Sequence, residues 1–323
     1  MEYQNINIST PTKISKKTIS DLYCDNYDAI HSLFIEFEFA WFQQAYNALK
    51  DLDKYNIIIY LYKEYFVELN EIFKVKSLNE FFLNPSFDLE KINTIHISKK
   101  LGLSKETTRR KILELERDGI LIKNKKTITV TLKAGLLQKP VDTINSFSKI
   151  LDYISYFLHK DNYVKKYYQK EFFIKKIKER YTQILAIFLE FQINYVLKRR
   201  ALLNNDMEMI FIIGTLFYNQ VIYLKRSKKN SHYKKEWEDN ILHIGDKKGL
   251  NAMTINDLTG IPRPTVIRKL KILLKQKDIY KDENKLYYMV KGKFSTNLNK
   301  QRLNNIEELS STISRINNII FNT

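Results

Sequence analysis

The chain has 323 residues, 44% of them apolar, and a formal net charge of +18. That content of Ile, Leu, Phe and Tyr excludes a disordered protein, and the length allows two domains with ordinary cores. A single cysteine, Cys24, excludes a disulfide framework and any cysteine-based zinc site. The amino terminus lacks the apolar core of a signal peptide, so a cytoplasmic protein is expected.

The basic excess favours a polyanionic partner. Lys, Asn and Ile also accumulate under AT-biased codon usage, which makes arginine the sharper signal: its planar fork reads phosphates and guanine edges bidentately. Of 11 arginines, Arg109, Arg110, Arg117, Arg263 and Arg268 fall in two short segments, 104–117 and 262–275.

In chain order, residues 1–27 form an amino-terminal segment and a first unit occupies 28–135. It opens on two apolar helices, IEFEFAWFQQAYNALK near 35 and a longer one from Asp53, followed by a polar loop and a helix-turn-helix with hairpin at 92–131. Thr94 is expected to cap a short helix carrying Ile97 and Leu101, and Gly102 to supply the permissive backbone of a tight turn. Ser104 then caps a second helix. Helical spacing puts Thr108, Ile112 and Leu115 on its inner side, and Lys105, Glu106, Arg109 and Arg110 on its outer side. Beyond it, GILIKNKKTITVT reads as a β-hairpin whose tip carries Lys123, Asn124, Lys125 and Lys126.

Residues 136–180 read as connecting helices. The stretch 162–181 mixes seven basic residues with Tyr and Phe. It either tracks a nucleic-acid backbone or, as the preferred reading, is an amphipathic helix with Phe173, Ile174, Ile177 and Tyr181 inward.

A second unit, 181–293, repeats the plan, with apolar helices near 188 and from Asp206, then a helix-turn-helix with hairpin at 250–290. At an offset of 158, Ile97 meets Ile255, Gly102 meets Gly260, Thr107 meets Thr265, Arg110 meets Arg268 and Lys111 meets Lys269. Val266, Leu270 and Leu273 point inward here, with Arg263, Ile267 and Arg268 outward. Pro264 fits the first helical turn, whose N–H has no partner to lose. The most apolar run, Met209 to Leu224, is interrupted by Asn219 and Gln220 and falls short of a membrane span, so a core helix is expected and no membrane partner. In the tail, 294–323, Leu303, Ile306, Leu309, Ile313, Ile316 and Ile320 form an amphipathic helical stripe. That stripe either docks on its own chain, the preferred reading, or, like the flanking helices, pairs two chains as a homodimer.

The expected fold class is therefore mainly α: tandem duplicated winged-helix domains with flanking long helices and short β-hairpin wings. The run from Gly102 to Arg110, GLSKETTRR, resembles the second-helix signature of the Crp/Fnr transcription regulators, which runs Gly, x, Ser, Arg, Glu, Thr, Val, x, Arg. GIPRPTVIR, 260–268, is closer to the IclR form, and the flanking helices are similar to the MarR arrangement. This resemblance implies DNA contacts from Ser104, Lys105, Glu106, Thr107, Arg109 and Arg110, with Lys123, Lys125 and Lys126 on phosphates, and from Arg263, Thr265, Arg268 and Lys269. It carries over no effector ligand. Two departures weaken the second unit: Pro264 replaces the base-reading Glu, and its hairpin tip, KDENK, holds Asp282 and Glu283.

The expected function is a sequence-specific transcription regulator bound to double-stranded DNA. A replication-initiator-like protein with two winged helices, and a winged-helix protein scaffold without DNA affinity, are the alternatives. His31, His96, His159, His232 and His243 are scattered without metal-ligand spacing, and no phosphate loop or nucleophile motif is present, so neither cofactor nor catalysis is expected.

Overall fold

A computed structural model describes residues 14–90, 92–124, 126–136, 140–226 and 249–321. Lys125, His232 and His243 lie outside these residues. The described protein is mainly α, 74% helix and 6% strand, with small antiparallel sheets.

The chain begins with α1 (Lys16–Asp25), opened by the Ser15 hydroxyl accepting from the Thr18 N–H at 3.0 Å. Two long helices follow, α2 (Tyr27–Leu49) and α3 (Leu52–Glu71), joined by Lys50 in the left-handed conformation and capped at the second start by Asp51. A short α4 (Leu78–Leu83) with a Ser77/Glu80 capping box leads to β1 (Phe87–Leu89). Next come α5 (Thr94–Leu101), α6 (Lys105–Arg117), β2 (Leu121–Lys123), β3 (Ile128–Val130) and α7 (Leu132–Leu136). Then α8 (Pro140–Lys160) and α9 (Lys170–Glu179) connect to α10 (Tyr181–Leu202) and α11 (Met207–Arg226). The described chain resumes with α12 (Ala252–Thr259), α13 (Arg263–Lys275), β4 (Ile279–Lys281), β5 (Tyr287–Met289) and α14 (Lys293–Phe321).

At the centre, α2 packs along α11 and α3 along α10, so the first long helix of each half lies against the second long helix of the other. Aromatic rings line the centre: Phe39 stacks on Tyr218 at 4.1 Å and Phe42 on Phe211 at 5.7 Å between α2 and α11, and Trp41 of α2 meets Phe188 of α10 edge-on at 5.6 Å. Each such pair adds about 0.5–1.5 kcal/mol beyond the area it buries. One buried apolar cluster runs through both halves. Among the described helices, α11 alone is long and apolar enough to cross a membrane, and most of it is buried inside the protein.

The apolar stripe of α14 is spent on this core. Ile306, Leu309, Ile313, Ile316 and Ile320 are buried, and the helix lies against α1 and α10. Leu303 departs from the expected stripe and is 59% exposed. The amino-terminal segment is part of the core as well, because Ile19, Leu22 and Tyr23 of α1 are buried. In the connecting region the expected helix over 162–181 is shorter: residues 162–169 are not helical, α9 buries Phe173 and Ile177 with Ile174 partly so, and the buried Tyr181 opens α10.

β1, β3 and β2 form a three-stranded antiparallel sheet in that order, pairing Phe87 and Leu121 with opposite edges of Val130. In the second half β4 and β5 pair alone, with Leu250 adding a single bridge to Tyr287 where β1 lies in the first. β1 is an addition to the sequence reading, which placed a polar loop there.

Candidate nucleic-acid interface

The first helix-turn-helix is built from local hydrogen bonds. The Asn93 side chain, not Thr94, caps α5 by accepting from the N–H groups of Ile95 and His96 at 3.0 and 3.1 Å. Gly102 ends α5 at φ +59°, where L side chains are strained. Ser98 Oγ donates to the Leu103 carbonyl at 2.8 Å and closes the turn. Ser104 Oγ then accepts from the Thr107 N–H at 3.0 Å, starting α6. Thr108, Ile112 and Leu115 are buried beneath this helix, so its outer face carries Lys105, Glu106, Arg109 and Arg110 into solvent. Thr107 is half-buried, and its hydroxyl is engaged by Ser104 at 2.8 Å.

The second helix-turn-helix places the same geometry 158 positions later. Asn251 caps α12, Gly260 ends it at φ +72°, and Asn256 Nδ2 donates to the Ile261 carbonyl at 2.8 Å, as Ser98 does to Leu103. Both second helices run for 13 residues, and each is followed by a left-handed residue, Gly119 or Lys277. Arg263 and Arg268 are exposed on α13 and Thr265 is half-buried.

Lys269 is a correction. Sequence placed it with the DNA-facing residues, but it is only 6% exposed and is ion-paired with Asp206, with Glu208 at 3.8 Å. Its counterpart Lys111 is paired with Asp51 in the same way. Each aspartate also accepts backbone N–H bonds at the start of a long helix, Asp51 for α3 and Asp206 for α11. The lysine is therefore a tie between the second helix of each unit and the core, and the residue beside it, Arg110 or Arg268, is the one turned outward.

Electrostatics divides the outer face of α6. Arg109 makes two hydrogen bonds to Glu106, at 3.2 and 3.0 Å, which hold the Glu106 carboxyl below its ordinary range. Arg110 lies only loosely against Glu114, at 3.9 Å, since Glu114 also faces Lys54 at 3.3 Å and Lys111 at 3.8 Å. Lys123 and Lys126 are exposed on the first hairpin, and Lys99 and Lys100 at the end of α5. On the second hairpin, Asp282 serves the turn: its Oδ1 accepts from the Leu286 N–H at 2.8 Å. Glu283 and Lys285 are exposed at that tip, beside Tyr280, 52% exposed.

Two clamps that sequence reading missed hold the turns across the central packing. Arg200 of α10 donates to the Leu101 carbonyl at 3.2 Å and pairs with Asp53 at 3.3 Å. Gln43 of α2 donates to the Leu258 carbonyl at 2.7 Å. Thus a helix of each half grips the turn of the other half's helix-turn-helix. The only sequence signal was a polar residue within an apolar helix near its end. Among the described residues no group of three or more His, Cys, Asp or Glu could hold a metal.

Compared with protein-family models, with curated proteins and with solved structures, the chain finds no match.

Proposed function

We propose that the chain is a sequence-specific double-stranded-DNA-binding protein, a transcription regulator that carries two winged helix-turn-helix units in one chain, produced by duplication of a domain. The observation that carries this reading is the pair Arg110 and Arg268. Each stands on the outer face of a 13-residue second helix whose neighbouring lysine, Lys111 or Lys269, is drawn inward. An inward lysine ion-paired to the core fixes the rotation of the helix, and that rotation leaves the arginine free for a partner outside the chain. A helix presented this way suits the major groove, where arginine reads the O6 and N7 edge of guanine.

Two further observations support it. Lys123 and Lys126 are exposed on the first hairpin, as a wing that rests on phosphates would need. The crossed packing of α2 on α11 and α3 on α10 is what a pseudo-twofold relation between two copies produces. In DNA-binding dimers that symmetry sets second helices about 34 Å apart, one turn of the duplex. The first unit carries the stronger basic face, while the second offers Arg263 and Arg268 with a less basic hairpin.

The test is selection of bound duplexes from a random pool. Enriched sites should contain two half-sites, and Arg110→Ala should erase preference in one of them. Failure to bind any duplex at low salt, where a basic winged helix holds phosphates, would reject the proposal.

A further inference from the structure

A cavity of about 100 Å³ lies among α2, α10, α11 and α14. It is somewhat smaller than an apolar cavity known to take up benzene, so its scale is one ring or a short chain. Most of its wall is apolar, including Phe34, Phe42 and Phe211, but polar side chains reach it as well: Glu38, Arg199, Arg302 and Asn305, beside Tyr195 and the hydrogen-bonded pair Tyr23 and His31.

Arg199 donates to Gln301 Oε1 at 3.5 Å and Arg302 to Asn299 Oδ1, but Asn305 and Glu38 keep polar atoms that the protein leaves open. Asn305 is 7% exposed, and neither its amide nitrogen nor its amide oxygen has a hydrogen-bond partner. Glu38 is 5% exposed; its Oε2 accepts from Gln192 Nε2 at 3.0 Å, whereas Oε1 has no partner. Burial pushes the Glu38 carboxyl up to about 8, so near neutral pH it is mostly uncharged and can donate a proton in a hydrogen bond. Arg199 lies over the Tyr195 ring at 4.5 Å, and Arg302, 6% exposed, lies 5.9 Å from the Tyr27 ring. Two guanidinium groups, a neutral acid and an open amide in an apolar chamber make a receptor for negative charge on a small apolar body.

We propose that this cavity binds a small, largely apolar molecule bearing one carboxylate, its body against the phenylalanines and its oxygens toward Arg199, Arg302 and Asn305. Nothing in the proposal depends on nucleic-acid binding. Met289 of β5 and Phe294 of α14 belong to the same wall, so an occupant touches both ends of the segment that follows the second hairpin.

Calorimetric titration of the full chain with benzoate and hexanoate, and with benzyl alcohol and benzylamine as neutral and cationic counterparts, tests it directly. At least one carboxylate should bind once per chain with a dissociation constant on the order of 0.1–1 mM. The alcohol and the amine should bind roughly tenfold more weakly or worse, and Arg302→Gln should weaken carboxylate binding by a similar factor. Because a buried arginine also supports the fold, a second variant is needed. Gly214 is an exposed wall residue where an added Cβ meets nothing within 4 Å, so Gly214→Leu places a side chain at the cavity wall from a position with room for its first carbon. That variant should keep its helical circular dichroism and lose carboxylate binding. Absence of binding by both carboxylates, equal binding of the alcohol or amine, or unchanged binding by folded Gly214→Leu would each overturn the proposal.

Discussion

Arg110 and Lys111 are adjacent on α6 and have opposite fates. Lys111 is tied to Asp51 under the helix, while the Arg110 side chain is 63% exposed with a loose contact to Glu114. Arg110→Ala is accordingly expected to cost about 1–3 kcal/mol in binding to a selected duplex and to relax preference at one base position. A competition assay against the selected and scrambled duplexes reads both effects. The equivalent inward lysine behaves otherwise. Lys269→Met leaves the Asp206 carboxylate without its cation, and the loss should be about 1–3 kcal/mol of folding stability in urea denaturation. Affinity for DNA, measured where the variant is fully folded, should be unchanged; a phosphate-contacting lysine would instead lower the salt dependence of binding.

Glu38 supplies a pH prediction at the same scale. Its carboxyl is raised from an ordinary 4.5 to about 8, first by burial, with the Gln192 hydrogen bond opposing. Between those pH values the folded chain holds a proton that the unfolded chain has lost, so this group's contribution to stability falls as pH rises from 4.5 to 8 and is level above that. Glu38→Gln keeps an acceptor for Gln192 and cannot ionise. Relative to the variant, the native chain should lose stability between pH 5 and pH 8, seen as diverging urea midpoints. Parallel midpoints would show that Glu38 ionises normally in the fold.

Among elements, the two tight turns share one backbone conformation but differ in surroundings. Gly102 at φ +59° has open space where a Cβ would stand, so Gly102→Ala adds only backbone strain, about 1–2 kcal/mol. Gly260 at φ +72° would place its Cβ 3.0 Å from Asn47 Oδ1 and 3.3 Å from Lys50 Nζ. Gly260→Ala should therefore destabilise more than Gly102→Ala, by the amount needed to displace those side chains. Equal losses in thermal or urea unfolding would mean that the loop from α2 yields freely.

The turns and second helices were also the elements most legible in the sequence. Periodicity identified Thr108, Ile112 and Leu115, then Val266, Leu270 and Leu273, as inward residues, and all six are buried. What periodicity could not show was partnership across distance. The family resemblance groups Lys269 with the DNA-facing residues, yet it stands three residues after Val266 and four before Leu273, on the inner side, where Asp206, 63 residues earlier, pairs with it. β1 is three residues long and depends on β3 for its hydrogen bonds, so no local pattern announces it. Thr94 has the chemistry of a cap, but Asn93 one position earlier reaches the free N–H groups instead. The cavity was invisible for a similar reason, since its polar residues come from α2, α10 and α14 and look like ordinary surface or core positions within each.

Across the whole molecule, the central claim is that one chain holds two DNA-reading helices in a fixed relation. The fold gives that relation a mechanical basis: α2 lies on α11, α3 lies on α10, and Arg200 and Gln43 reach across to hold the opposite turns. Selection of duplexes by the native chain, Arg110→Ala and Arg268→Ala in parallel tests it most directly. The account predicts two half-sites about one helical turn apart for the native chain, with one half-site losing definition in each variant and a different one in each. A single half-site untouched by Arg268→Ala, or enrichment unaffected by both substitutions, would contradict it.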